Sequence, residues 1–237
     1  MHFIIFDLDG TLGQTYYSDD NSYLTALSKI IDIDPNYAYW KECPNLTDRA
    51  VLNYIFQKKH NRLPTQEEVK QMQGLFMNQL RLKHQKEPHF FHPIPGAPEL
   101  FNHLNTNYHH VKIGVATGGW KAIAQFKLDL LGISHCDYHL IGSDDHDAKH
   151  DFVKALIQDV ELKERTKFEA ITYVGDSLYD MKAAHQLNID FLGIDYKKIG
   201  HFQQNGHHTV LEHYTDLPEV LKHFRLDAAS GSNLSIK

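Results

Sequence analysis

Five short apolar runs punctuate the chain: His2–Phe6, Val111–Ala116, Tyr138–Gly142, Ala170–Val174 and Phe191–Ile194. Each is too short for a helix and too continuously apolar for a strand with one wet face, so the pattern predicts buried parallel strands. Helical spacing separates most of them. Ile123, Phe126 and Leu130 follow the second run, with Gly132 as a C-terminal cap. Val153, Leu156 and Val160 follow the third, and Met181, Ala184 and Leu187 the fourth. Strand–helix alternation of this kind predicts an α/β fold: a parallel sheet with helices on both faces.

From about Thr15 to Phe90 the alternation stops and only the helical period remains. Leu24, Leu27 and Ile31 form one apolar stripe, and Val51 and Ile55, with Leu52 and Phe56 alongside, form a second. Thr65 and Glu68 have the spacing of a capping box ahead of a third stripe, Val69, Met72, Phe76 and Leu80. The proline-rich stretch Pro88–Gly96 reads as the return linker. The expected organisation is a core of residues 1–14 and 91–227, an all-helical insert over 15–90, and a small polar, flexible tail over 228–237.

Polar features follow four of the strands: Asp7-x-Asp9-Gly10-Thr11, Thr117-Gly118-Gly119, Lys149, and Gly175-Asp176-Ser177-x-x-Asp180. Singly, each is ordinary: a turn, a helix start, a surface lysine, a helix cap. In a parallel sheet, however, the carboxyl ends of the strands share one edge, where ligands bind. Side chains two apart on a strand point the same way, which predicts that Asp7 and Asp9 converge. Asp7, Asp9, Asp176 and Asp180 bring four negative charges, and Lys149 returns one positive. The excess calls for a divalent cation, and all-oxygen ligands favour Mg²⁺. With the ion bound, a proton held on Asp9 leaves the group near neutral and able to accept an anionic substrate.

The chemistry expected of such a group is phosphoryl transfer. Asp7 is the candidate nucleophile, giving an aspartyl-phosphate. Asp9 is the candidate acid for the leaving oxygen and base for the hydrolytic water. Thr117 and the Gly118 amide, at a helix N-terminus, suit phosphate oxygens. Lys149 offsets charge on the nucleophile and the transferring group. Asp176 is expected to ligate the metal directly, and Asp180 directly or through water.

These four segments, in this order, resemble the haloacid dehalogenase-like hydrolase superfamily, in particular its phosphoglycolate-phosphatase-like and β-phosphoglucomutase-like branch. Phe6-Asp7-Leu8-Asp9-Gly10-Thr11-Leu12 is similar to the first motif of that family, Val115-Ala116-Thr117-Gly118 to the second, Lys149 to the third, and Val174-Gly175-Asp176-Ser177-x-x-Asp180 to the fourth. The resemblance implies a Rossmann-like core with a helical cap between the first two motifs. It also implies Mg²⁺ bound by the Asp7 and Asp176 side chains and the Asp9 backbone carbonyl. The chain departs from the pattern at His150, where proline or glycine is usual, and at Gly13-Gln14-Thr15, where a further acidic residue is often found. Asn45-Leu46-Thr47-Asp48-Arg49 is loosely similar to the substrate-facing cap loop, with Arg49 as a candidate for binding a sugar phosphate; alternatively Asn45 or Thr47 simply caps the following helix.

Composition narrows the partners. A net charge of −6 argues against nucleic acid or an anionic membrane as the main partner. Two cysteines, Cys43 and Cys136, provide no disulfide framework and suggest a reducing compartment. The first strand leaves no room for a signal peptide and no run is long enough for a membrane span, so a cytoplasmic location is expected. The 18 histidines are scattered, without a zinc-ligand spacing. The function expected is an Mg²⁺-dependent phosphatase acting on a small phosphorylated metabolite. The alternatives are a phosphomutase of the β-phosphoglucomutase type and a non-catalytic phosphate-binding module. A dehalogenase is disfavoured, since hydrolysis at carbon needs neither Mg²⁺ nor an acid at Asp9.

Overall fold

A computed structural model describes residues 1–226, apart from the side chains of residues 16–20. The tail expected over 228–237 lies outside the described residues. In chain order the elements are β1 (His2–Phe6), β2 (Gly13–Gln14), α1 (Tyr16–Leu27), α2 (Asp48–His60), α3 (Gln66–Lys86), β3 (His92–Pro93), α4 (Ala97–Asn107), β4 (Val111–Ala116) and α5 (Lys121–Leu130). There follow β5 (His139–Ile141), α6 (Lys149–Glu164), β6 (Ala170–Gly175), α7 (Leu178–Leu187), β7 (Asp190–Ile194), α8 (His201–Gln204), β8 (Val210–Leu211) and α9 (Leu217–His223).

The main sheet is six-stranded, in the order β5-β4-β1-β6-β7-β8, and every pairing in it is parallel. β1 is central and buried along its whole length, which explains its unbroken apolar sequence. Its side chains alternate between two cores. Phe3 and Ile5 join Phe152, Val153 and Leu156 of α6 and Ala183 and Ala184 of α7. Ile4 and Phe6 join Leu100 and Phe101 of α4, Leu128 of α5 and Leu221 of α9. The chain passes from β1 to β4 and β5 on one side, then returns to β6 on the other. Loops diverge at that reversal and leave a crevice beyond the carboxyl end of β1.

Helices α1–α3 surround an apolar cluster of their own, with Leu24 and Leu27 from α1, Ile55 and Phe56 from α2, and Met72, Phe76 and Leu80 from α3. Thr65 caps α3 with the full reciprocal capping box. The helical segment is entered and left through the short antiparallel pair β2–β3, Gly13 facing Pro93 and Gln14 facing His92. The return stretch therefore contributes a strand as well as a linker. The helical layer is joined to the sheet layer by Trp120, just before α5, which is 1 % exposed. Its ring stacks on Tyr23 with centroids 5.9 Å apart and meets Phe76 edge-on at 6.3 Å.

Candidate active site

Asp7 is the first residue past β1. Its N–H still donates to the Val174 carbonyl of β6 (2.8 Å), so the strand direction holds and Asp7 continues the face of Phe3 and Ile5. That is the face on which α6 starts, and Lys149 occupies the first position of α6. The Lys149 ammonium lies 2.8 Å from Asp7 Oδ1 and 2.6 Å from Asp180 Oδ1. Burial works against this ammonium, but Asp180 and Asp7 together outweigh it and raise its pKa above the ordinary lysine value. Burial also drives the Asp7 carboxyl well above its usual range; Lys149 opposes this, while Asp180 and Asp176 reinforce it.

Asp180 lies beneath the site, fully buried. Its Oδ1 accepts from Lys149 and from the Tyr173 hydroxyl (2.9 Å). Its Oδ2 accepts from the Ser177 N–H (3.0 Å) and hydroxyl (2.5 Å), closing a capping box on α7. Gly175 permits this: a Cβ there would come within 2.3 Å of the Asp180 Cβ. Asp7, Asp176 and Asp180 each offer a carboxylate oxygen within 4.8 Å of the others, the spacing of a hard-cation site. Among the described residues no histidine enters such a group.

Asp9 is placed differently from the strand-based expectation. β1 has ended, and the loop turns at Gly10 with φ +88° while Leu12 and Gly13 donate to the Leu8 carbonyl (2.9 and 3.1 Å). The two-residue alternation lapses, and the Asp9 carboxylate meets Lys127 of α5 rather than Lys149. Lys127 Nζ lies 2.7 Å from Asp9 Oδ1, and the Thr15 hydroxyl donates to the same oxygen. Lys127 is 1 % exposed. The charge balance read from the sequence is corrected accordingly. Two lysines offset half of the four carboxylates, and one divalent cation offsets the rest, so neutrality needs no proton on Asp9. A signal for Lys127 exists in the sequence: it sits four residues after Ile123, on the apolar stripe of its helix.

Thr117 and Gly118 line the same cleft, as do Lys149, Asp176, Asp7 and Asp9. The next three N–H groups of the turn are taken up by the protein itself, which leaves the Thr117 hydroxyl and the Gly118 amide as the groups of this turn that face the cleft. The Gly119 N–H donates to Thr117 Oγ1 (3.1 Å), that of Trp120 to Asp48 Oδ2 (3.0 Å), and that of Lys121 to Asp144 Oδ2 (2.8 Å). Asp48 comes from the first turn of α2 and also donates its own N–H to the Gly118 carbonyl (2.9 Å). Burial pushes its carboxyl up to about 7 against the opposing pull of Lys127. Nothing in the sequence distinguishes Asp48 from an ordinary helix-start acid.

Arg49 is turned away. It does not line the cleft; its guanidinium sits 3.1 Å from Asp147 Oδ1 and also donates to the Asp144 carbonyl. Its work is to dock α2 on the loop ahead of α6, beside the Thr47 hydroxyl, which donates to the Asp147 carbonyl (3.1 Å). Thr47 caps α2, accepting from the Ala50 N–H, while Asn45, Leu46, Thr47 and Asp48 form one wall of the cleft, so capping and lining coexist in this loop. The volume of this open cleft is about 520 Å³.

The family model of haloacid dehalogenase-like hydrolases matches residues 4–194. No curated protein matches by sequence. Among solved structures, the chain is similar to a hydrolase from Pseudomonas syringae at 23 % identity and TM-score 0.64, covering 94 % of this chain and 98 % of that one. It is similar to CbbY from Rhodobacter sphaeroides in complex with phosphate, at 14 % identity and TM-score 0.65, covering 91 % and 95 %. It is also similar to a predicted phosphoglycolate phosphatase from Haemophilus somnus, at 20 % identity and TM-score 0.59, covering 92 % and 96 %. At these identities the structures speak for the fold, and the family match covers most of the chain. The chain belongs to the haloacid dehalogenase-like hydrolase family.

Proposed function

We propose that this protein is an Mg²⁺-dependent phosphatase that hydrolyses a small phosphate monoester through an aspartyl-phosphate on Asp7, with residues 15–90 acting as its cap. The observation that carries the reading is the buried Asp7 carboxylate, held by Lys149 and within 4.8 Å of Asp176 and Asp180 in a cleft of substrate size. The donor set fits a hard divalent cation. The Asp7 and Asp176 side chains and the Asp9 carbonyl are the groups we assign to the metal, with Asp180 behind them, its oxygens accepting from Lys149, Tyr173 and Ser177. Bound there, Mg²⁺ would offset phosphate charge and orient the ester.

A carboxylate oxygen of Asp7 attacks phosphorus as the bond to the ester oxygen breaks. Lys149 keeps the nucleophile in place and steadies charge on the transferring group. The bound ester adds negative charge to the balanced group, which favours a proton on Asp9; in that acid form Asp9 gives a proton to the departing alcohol, then as carboxylate takes one from the water that opens the acyl phosphate and restores Asp7. Thr15 and Lys127 both hold Asp9 Oδ1, which leaves Oδ2 for that exchange. Thr117 presents its hydroxyl to the phosphoryl oxygens. The small phosphorylated substrate is further supported by neighbours described as a phosphoglycolate phosphatase and as a phosphate complex.

Purified protein should release phosphate from members of a metabolite panel only with Mg²⁺, and EDTA should abolish it. Asp7→Asn should lower kcat/KM by at least about 10³-fold while leaving the circular dichroism unchanged. Retained turnover in that variant refutes the nucleophile, and isomerised sugar phosphate without phosphate release replaces the phosphatase by a mutase.

A further inference from the structure

The wall of the cleft facing the carboxylates is built by the helical segment. It presents Tyr23, Trp40, Leu46 and Val51 as apolar surface, with Asn45 and Asp48 as its chief polar groups. On the sheet side Tyr179 reaches the same cleft. Leu46 and Tyr179 are 43 % and 48 % exposed, so apolar surface left open to water lines the cleft from both layers.

Among the described residues, no lysine or arginine of the helical segment lines the cleft. Arg49, the nearest in sequence to the lining loop, is engaged by Asp147 and Asp144. The sequence over residues 16–20, Tyr-Tyr-Ser-Asp-Asp, contains no cation either. Lys149 is committed to Asp7 and Asp180. Lys197 lines the cleft from the sheet layer, and with Asp176 it also borders a second, smaller hollow. Among the described residues, the acid on the helical wall where a leaving group would rest is Asp48, ionised at pH 8.

We propose that the cleft selects phosphate monoesters whose leaving group carries no negative charge and lays an apolar or aromatic part against Trp40, Leu46 and Val51. This deepens the phosphatase reading and rests on it. An anionic leaving group would face Asp48 on a helical wall that offers no lysine or arginine, and such like-charge placement is a way to reject a ligand. A second acid group on the substrate, as in phosphoglycolate, is therefore selected against. A volume of about 520 Å³ accommodates a phosphate together with a ring.

Three esters of one two-carbon frame separate charge from size: ethylene glycol monophosphate, phosphoethanolamine and phosphoglycolate, assayed with Mg²⁺ at pH 8. Phosphoglycolate should have a kcat/KM at least about tenfold below the other two. Benzyl phosphate should show a KM about tenfold below that of the glycol ester, and Trp40→Ala should raise KM for benzyl phosphate more than for the glycol ester. Asp48→Asn should narrow the gap between phosphoglycolate and the glycol ester. The wild-type series decides the matter even if neither variant folds. Phosphoglycolate turned over as well as the neutral ester overturns this inference and leaves the phosphatase standing. An unchanged gap in a folded Asp48→Asn removes Asp48 as its cause, and no hydrolysis of any ester overturns both readings.

Discussion

Asp48 provides a stability experiment that is independent of activity. Its carboxyl is displaced from 3.8 to about 7, chiefly by burial. An acid whose folded value is raised keeps its proton in the folded chain while the unfolded chain releases it. Folding stability therefore falls as pH rises from about 4 to about 7, and the full penalty persists above that. Three pH units at about 1.36 kcal/mol each amount to roughly 4 kcal/mol. Asp48→Asn retains a carbonyl oxygen for the Trp120 N–H and cannot ionise. The variant should match the wild type near pH 4 and exceed it at pH 8. After relaxation of the charged form, a gain of about 2 kcal/mol or more is expected, equivalent to about 4–8 °C in Tm for a chain of this size. Urea unfolding at pH 5 and pH 8 without added metal, followed by tryptophan fluorescence, reads the difference directly. Both tryptophans are well placed, Trp40 in the cleft wall and Trp120 against Tyr23. Comparing variant with wild type at each pH cancels the other titrating groups. A stability difference that is the same at both pH values, or a variant weaker at pH 8, refutes the reasoning.

Two further substitutions probe the site from below. Lys127→Met removes the cation that faces Asp9 at 2.7 Å, and with Asp9 21 % exposed the cost should fall near the lower end of the range for broken buried pairs, about 3 kcal/mol in chemical denaturation; a loss under about 1 kcal/mol would show that the pair is solvated. Gly142→Ala places a Cβ 2.4 Å from the Lys121 nitrogen and 2.6 Å from the Gly119 carbonyl oxygen, both backbone atoms that cannot yield alone. It should destabilise by about 1–3 kcal/mol and lower kcat by displacing the Thr117 turn, whereas wild-type kinetics would show that the turn has room.

The sheet was legible because buried parallel strands are written as unbroken apolar runs. The expected Tyr138–Gly142 and Phe191–Ile194 appear as His139–Ile141 and Asp190–Ile194. Two-residue strands such as Val210–Leu211 have no period to detect, and Leu100, Phe101 and Leu104 of α4 sit just behind a proline-rich return that hides their helix start. In the site, the residues tied to strand ends were readable, because a parallel sheet carries them to one edge whatever their separation in the chain. Asp7, Thr117, Lys149 and Asp176 are of this kind.

Lys127, Asp48 and Arg49 are governed by a different geometry. Their positions depend on how the helical layer sits against α5, which no local period encodes. Lys127 lies on the apolar face of α5, where a lysine is costly unless an acid meets it, and the acid is Asp9 from the loop after β1, the strand beside β4 but more than a hundred residues away in the chain. Asp48 and Arg49 are adjacent in sequence, yet the first turn of α2 sends one into the cleft and the other onto Asp147. A single helical step of about 100° separates the residue that lines the cleft from the one that docks the helix on Asp147. The rotation of α2 on its docking loop therefore decides which of the two side chains lines the cleft. The same rotation explains why the helical wall is lined by an acid where an arginine was expected.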